Sequence, residues 1–117
     1  GYQNILKTLK PSTRQRFVSM RFDFPGAERE ISILIGETGC DAELAKRLVG
    51  IAKAFRALKD RDLEEVASTR LLVYAATLIK SGFDVSAACR AALVESLTDD
   101  EETVEALMEI VNATFGR

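Results

Sequence analysis

The chain lacks several of the residues and patterns on which active sites are usually built. Its 117 residues contain no histidine and only two cysteines, Cys40 and Cys89, which do not form a Cys-x-x-Cys pair. No acidic metal-ligand motif accompanies them. We therefore expect two reduced, mostly buried thiols in a cytoplasmic protein, and neither a disulfide nor a metal site.

The chain also has little net charge and no long hydrophobic run. Its formal net charge of -2 gives no electrostatic reason to expect a nucleic-acid partner. The longest strongly apolar run, residues 71–79, is far shorter than the ~20 residues that span a bilayer. The polar first residues are not followed by the apolar stretch of a signal peptide, so none is expected. The sequence thus predicts neither nucleic-acid binding nor a membrane span.

One segment imitates a phosphate-binding loop but lacks its chemistry. Residues 31–35 are apolar, and a stretch with two glycines follows at residues 36–40, as if a strand ran into such a loop. A P-loop needs a lysine and then Ser or Thr directly after its last glycine, because the lysine neutralises the β- and γ-phosphates. Cys40 and Asp41 stand there instead. We interpret the stretch as a glycine turn between two helices.

A strand pattern near the start of the chain has no partner. From Val18 to Phe24 every second side chain is apolar, and Pro25 ends the pattern, which is typical of a half-buried strand. One strand cannot form a sheet, and no later segment offers a second one. We therefore expect residues 1–25 to be the end of a larger domain and residues 26–117 to form a separate helical domain.

Five helices are predicted after Pro25, which makes the chain mainly α. The predicted helix starts are residues 25–28, Asp41, Ser68, Asp84 and the acidic run 98–102. The first helix is expected to end at Gly36 and Gly39. Gly50, inside the second helix, is expected to allow a close helix crossing. Residues 71–76 of the third helix are apolar on nearly all sides, as in the central helix of a small bundle.

A Ser-Thr-Arg pattern occurs twice, at residues 12–14 and at residues 68–70. Each copy places a guanidinium at the junction of two elements, a good position for binding a phosphate or carboxylate in fork geometry. Arg70 falls in the first turn of the third helix, where a cation opposes the helix dipole unless an anion is nearby. The alternative is an ion pair with Glu64 or Glu65.

The first copy of the pattern is harder to interpret. Arg14 and Arg16 lie in a short connection before the predicted strand, and spacing alone supports an anion-binding role for at most one of them. The other is expected to be a surface charge or to pair with an acid. Because the chain has no phosphate-binding loop, most of the groups that hold the anion are expected outside these residues.

Several segments together resemble a known family, the CbbQ/NorQ/NirQ-type proteins of the MoxR group of AAA+ ATPases. The resemblance is to their C-terminal part, runs the whole length of the chain, and rests on residues 1–3 (Gly-Tyr-Gln), 12–17, 22–25, 68–72 and the acidic 97–100. It implies a five-helix AAA+ lid-like bundle over residues 26–117. A remnant helix or loop and a single β-strand of the AAA+ α/β core would precede it, over residues 1–25.

The resemblance also implies roles for the arginines. Arg16 matches the position of the arginine finger, which reaches the γ-phosphate of a neighbouring subunit's ATP, and Arg14 is the neighbouring candidate. Arg70 matches the sensor-2 arginine, which contacts the nucleotide of its own subunit. ATP and Mg²⁺ would be bound by the full-length protein, whose phosphate-binding and metal-binding segments precede the matched region. The 117 residues alone are then expected neither to hydrolyse ATP nor to bind it tightly.

Family members form homo-hexameric rings and work with a von Willebrand factor A-type partner protein on a target metalloenzyme or on Rubisco. These partners are what the resemblance implies, and the sequence does not identify the target. The residues alone leave a second class open, a stand-alone helical protein–protein interaction module whose arginines form structural salt bridges. A third, a helical DNA-binding domain, is disfavoured by the acidic charge balance and the lack of a basic recognition helix.

Overall fold

A computed structural model describes residues 24–58 and 66–116 of the chain. Arg14, Arg16 and all of the predicted strand except Phe24 therefore lie outside the described residues. Of the segment predicted to precede the helical domain, residues 1–25, only the last two residues are described. The helical domain that follows is described nearly throughout.

Five helices are present in the described residues, as predicted. They are α1 (Ala27–Thr38), α2 (Ala42–Arg56), α3 (Thr69–Lys80), α4 and α5 (Glu101–Thr114). Helix α4 consists of three consecutive stretches, which are α-helical at Val85–Cys89, π-helical at Arg90–Val94 and α-helical at Glu95–Leu97. The mainly α fold class is confirmed for this part of the chain.

Side-chain caps explain why four of these helices begin where they do. Asp41, Ser68, Asp84 and Asp100 each accept a hydrogen bond from the backbone N–H three residues later, at 2.8, 3.4, 3.1 and 3.0 Å. Such a bond satisfies one of the N–H groups that a helix start leaves without an intrahelical partner. The predicted caps at Asp41, Ser68 and Asp84 are confirmed. Within the acidic run before α5, the structure assigns the capping role to Asp100.

Two glycines were predicted to end α1, and only Gly39 does so. Gly39 has a φ of 73° and a backbone N–H that bonds to the Ile35 carbonyl, so it ends the helix in the left-handed region. Gly36 lies inside α1, and the prediction that it ends the helix was wrong. Because residues 31–38 are helical and Gly39 turns into α2, the segment is not a phosphate-binding loop.

All five helices contribute to one hydrophobic core. One leucine or phenylalanine from each helix is at most 1% exposed: Leu34, Phe55, Leu72, Leu93 and Leu107. Helix α1 packs on α2 and α3, α2 also packs on α5, and α3 also packs on α4. Removing this much apolar surface from water is the main stabilisation of a small helical domain.

Helix α3 is more exposed than its sequence predicts. It buries Leu72, Ala75 and Ala76, but Tyr74 is 51% exposed, and Arg70 and Thr77 are exposed as well. The helix packs on α1, α2 and α4, as the central helix of the bundle was expected to, but one side of it is open to solvent. One stripe of α3 faces away from the bundle, and Arg70 is its first residue.

One backbone feature of the bundle was not predicted from the sequence, and another was predicted wrongly. At the end of the π-helical stretch of α4, the Glu95 N–H bonds to the Arg90 carbonyl five residues earlier, and the two side chains pair at 3.1 Å. In α2, a Cβ built on Gly50 would meet no atom within 4 Å. No helix of the described ranges crosses closely at Gly50, so that expectation was wrong.

Both cysteines of the chain lie in the interior of the helical bundle. Cys40 and Cys89 are both buried free thiols there, and no group of three potential metal ligands is found among the described residues. Burial, with a smaller contribution from the charge of Asp84, raises the pKa of Cys89 to about 12. Within the described ranges, no helix is long and apolar enough to cross a membrane.

Candidate functional site

Arg70 lies in the first turn of α3, directly after the Ser68 cap and Thr69. Its side chain is exposed, and the first turn of this helix contains no acidic residue. Within residues 24–58 and 66–116, Arg70 makes no ion pair and donates no side-chain hydrogen bond. The alternative partners Glu64 and Glu65 lie outside the described residues. Arg70 therefore belongs to the first turn of a helix, where the helix dipole and the unpaired N–H groups stabilise an anion.

A buried ion pair lies behind the start of α3. The Arg56 guanidinium donates to both oxygens of the Glu30 carboxylate, from Nη1 to Oε1 at 3.0 Å and from Nη2 to Oε2 at 2.7 Å. The Glu30 side chain is 1% exposed and the Arg56 side chain 13%. Two parallel charge-assisted bonds fix both the distance and the plane of the two groups, which a single contact would not do.

The same pair holds the backbone and side chains on either side of the Ser68 cap. Thr69 Oγ1 donates to Glu30 Oε2 at 2.8 Å, and Arg56 Nε donates to the Ala67 carbonyl at 2.8 Å. Ala67 is itself buried. The residues immediately before and after the cap are thus both attached to one ion pair, and Arg70 is the next residue along.

Arg56 also contacts the segment that leads into the helical domain. Its guanidinium carbon lies 3.7 Å from the centroid of the Phe24 ring, a stacking distance for a planar cation on an aromatic face. Phe24 precedes Pro25 and the start of α1. One guanidinium therefore joins the entry segment, α1, the end of α2 and the start of α3.

The electrostatics of Glu30 are dominated by its partners. Burial by itself would raise the pKa of this carboxyl, but the hydrogen bonds from Arg56 and Thr69 and the positive charge of Arg56 outweigh it and leave the pKa below its ordinary value. Glu30 is therefore ionised at neutral pH in spite of its burial. Every buried side-chain nitrogen and oxygen in the described residues has a hydrogen-bond partner, so the charge is accommodated without an unsatisfied group.

Sequence reasoning missed both members of this pair, since neither Glu30 nor Arg56 was singled out. A signal was available in the spacing, because Glu30 lies four residues before the buried Leu34 and Arg56 four residues after the buried Ala52. A charge on the buried stripe of each of two helices indicates that the charges meet.

The structure brings together only part of what the sequence singled out. Arg70 sits on the same face of α3 as the exposed Tyr74 and Thr77, because residues four and seven apart align along a helix. Arg14 and Arg16 lie outside the described residues, so their position relative to Arg70 stays a prediction.

The described residues form a five-helix bundle of the AAA+ lid-like class that the sequence predicts, with an exposed arginine at the start of its third helix. The chain belongs to the CbbQ/NirQ/NorQ family, since the model of that family's C-terminal region matches residues 30–114. This confirms the family that the sequence motifs resemble.

Three relatives span nearly the whole chain. It is 62% identical over 112 residues to the denitrification regulatory protein NirQ of Pseudomonas aeruginosa, with 96% of the chain and 43% of NirQ covered. It is 53% identical over 116 residues to protein NorQ of Paracoccus denitrificans, covering 99% of the chain and 43% of NorQ. It is 46% identical over 115 residues to protein CbbQ of Hydrogenophilus thermoluteolus, covering 98% of the chain and 43% of CbbQ. The chain thus spans less than half the length of these relatives and corresponds to their C-terminal region.

Proposed function

We propose that the chain is the nucleotide-sensing lid of a cytoplasmic AAA+ ATPase and that Arg70 contacts the γ-phosphate of ATP bound in its own subunit. The observation that carries this proposal is the exposed Arg70 guanidinium at the start of α3, in a turn without any acidic residue. A fork-shaped donor beside a helix N-terminus suits a phosphate oxygen. The sensor-2 position that the motif resembles supports the same role.

The remaining parts of the ATP site are proposed to lie elsewhere in the full-length protein. The phosphate-binding loop and the Mg²⁺ ligands would come from the part of the protein that this chain does not span. Arg16, or Arg14 beside it, would act on the ATP of the neighbouring subunit in a homo-hexameric ring. The 117 residues would then contribute charge stabilisation and a moving lid, but no catalysis by themselves.

The lid would report the state of the nucleotide through rigid-body rotation. When the γ-phosphate is present, Arg70 holds the lid toward the nucleotide, and its loss on hydrolysis releases that contact. We propose that this motion remodels or activates a target enzyme, a metalloenzyme such as nitric oxide reductase or else Rubisco, together with a von Willebrand factor A-type partner. The name of the relative NirQ, a denitrification regulatory protein, is in keeping with such a function.

The proposal is tested by replacing Arg70 in the full-length protein. Arg70→Ala should lower kcat for ATP hydrolysis about tenfold to a hundredfold, the range of a hydrogen bond to a charged group. Arg70→Lys should recover only part of the rate, because lysine keeps the charge but loses the fork. The measurements are steady-state ATP hydrolysis and equilibrium binding of ATP and ADP, with ADP binding the less affected.

The matched control is Arg90→Ala, which removes another exposed arginine, one whose ion pair with Glu95 is open to solvent. It should leave hydrolysis unchanged. If Arg70→Ala also behaves like the parent protein, the sensing role is wrong, and the alternative of a helical interaction module with structural arginines becomes the better interpretation.

A further inference from the structure

We propose that Thr69, Glu30 and Arg56 are positioning residues for Arg70, and that their hydrogen bonds set the direction in which the sensing guanidinium leaves helix α3. This inference rests on the proposed function of Arg70. It adds three residues that fix the direction of the Arg70 side chain. None of these three residues touches the nucleotide.

The start of α3 is held only weakly by its own side-chain cap. Ser68 accepts from the Leu71 N–H at 3.4 Å, the longest of the four side-chain cap bonds in the described residues. A bond of that length constrains the first turn poorly. The orientation of this turn therefore depends on other contacts.

The buried ion pair of Glu30 and Arg56 supplies those contacts on both sides of the cap. Thr69 donates to Glu30 and the Ala67 carbonyl accepts from Arg56, both at 2.8 Å. Both hydrogen bonds are made to the same ion pair, so this pair holds the start of α3 at two points. A residue that follows directly, as Arg70 does, inherits that orientation through the backbone.

The ion pair is itself rigid enough to fix the orientation of what is attached to it. The bidentate geometry restricts rotation of the Glu30 carboxylate, and the 1% exposure of the Glu30 side chain leaves water little access to replace Arg56. Arg56 also stacks on Phe24, in the segment through which the chain enters the helical domain. A displacement of that segment relative to the bundle would act on the same guanidinium that holds the start of α3.

The test removes the Thr69 hydroxyl, which donates the hydrogen bond to Glu30. In the full-length protein, Thr69→Val deletes the donor to Glu30 with little change in shape, whereas Thr69→Ser keeps the hydroxyl and is the matched control. Thr69→Val should lower kcat about threefold to tenfold and should lower the ratio of ATP affinity to ADP affinity by a similar factor. ADP affinity itself should not change, and Thr69→Ser should match the parent protein.

The decisive measurement combines the change with Arg70→Ala. If Thr69 acts through Arg70, Thr69→Val should have no further effect on kcat or on the affinity ratio once Arg70 is gone. The melting temperature without nucleotide shows whether each variant is folded, and Thr69→Ala serves as a second donor-free variant if Thr69→Val is not.

Each outcome has one interpretation. An equal loss in the presence and absence of Arg70 would mean that Thr69 supports the fold in general, and the positioning role would be wrong. An unchanged Thr69→Val in a protein where Arg70→Ala is impaired would also overturn the positioning role, while the sensing role of Arg70 would stand. If Arg70→Ala itself has no effect, the proposed function has failed, and the positioning role fails with it.

Discussion

Glu30 stays ionised inside the bundle because three hydrogen bonds from Arg56 and Thr69 hold its carboxylate. Removing a carboxylate from water is expensive, and the interaction with one cation repays that only when geometry is good and the remaining hydrogen bonds are made. Here two bonds join the charges, Thr69 donates to the carboxylate, and Ala67 accepts from Arg56. The ion pair between Arg47 and Glu43 on α2 is open to solvent, with side chains 40% and 70% exposed, and contributes little.

Replacing Glu30 by glutamine tests the buried pair. Glu30→Gln leaves Arg56 buried beside a neutral group, so the free energy of unfolding at pH 7 should fall by roughly 3 kcal/mol. Because the folded-state pKa of Glu30 is lowered, its contribution is present above the unfolded value, near 4.5, and is lost as the pH falls through the folded value. The difference between parent and Glu30→Gln should therefore shrink below pH 4.5. Urea unfolding between about pH 7 and pH 3 measures it.

Glu43→Gln is the control for this comparison, since it breaks an ion pair whose carboxylate side chain is 70% exposed. Its free energy of unfolding should stay close to that of the parent across the same pH range. A Glu30→Gln difference that stays constant down to the lowest pH would show that the ionised carboxylate is not the source of the stability.

At the scale of the helices, sequence signals differ in how directly they act. A cap such as Asp41 needs only the residues next to it, so it can be read from the sequence and was predicted correctly. Gly39 likewise ends α1 through its own positive φ. Gly36, less than one turn earlier, was also predicted to end the helix. A glycine with a helical backbone only weakens a helix, however, and tertiary packing decides whether the helix continues past it. The π-helical stretch of α4 has no local signal that we can identify.

Replacing a glycine by alanine is predicted to stabilise the bundle at two positions within helices and to destabilise it at the turn between α1 and α2. Gly50 and Gly36 have helical backbones, and a Cβ added at either would meet nothing within 4 Å, so Gly50→Ala and Gly36→Ala should each raise the free energy of unfolding by about 0.5–1 kcal/mol. Gly39 has a φ of 73°, so Gly39→Ala should destabilise by about 1 kcal/mol. Urea unfolding of the three variants checks both signs. Destabilisation by Gly50→Ala would mean that another part of the protein packs closely against α2 at Gly50.

At the scale of the whole molecule, the bundle was predictable and the centre of its site was not. Helical spacing and caps predicted five helices, because these signals are local and the apolar stripes are long. The pair of Glu30 and Arg56 joins residues that are 26 positions apart, and each charge taken alone looks like part of a solvated surface. Arg70 was found because a cation at a helix start is locally unfavourable, which makes it conspicuous without any knowledge of the tertiary structure.

The proposed assembly makes a prediction that only a mixed ring can test. If Arg16 acts on a neighbouring subunit's ATP, Arg16→Ala in the full-length protein should reduce hydrolysis about a thousandfold or more while ATP binding persists. A subunit that cannot bind ATP, made by replacing its phosphate-loop lysine, would still carry Arg16. In a ring of both kinds, an Arg16→Ala subunit holding ATP can lie next to a subunit that supplies the missing guanidinium.

Hydrolysis should therefore reappear on mixing two proteins that are each inactive, and it should be greatest near equal proportions of the two. The same mixture made with Arg14→Ala in place of Arg16→Ala decides which arginine reaches the nucleotide, because only the finger gives an inactive variant that mixing rescues. Size-exclusion chromatography of differently tagged subunits shows whether mixed rings have formed. Mixed rings that form and remain inactive would mean that Arg16 acts within its own subunit or only on the fold, and the shared site would have to be abandoned.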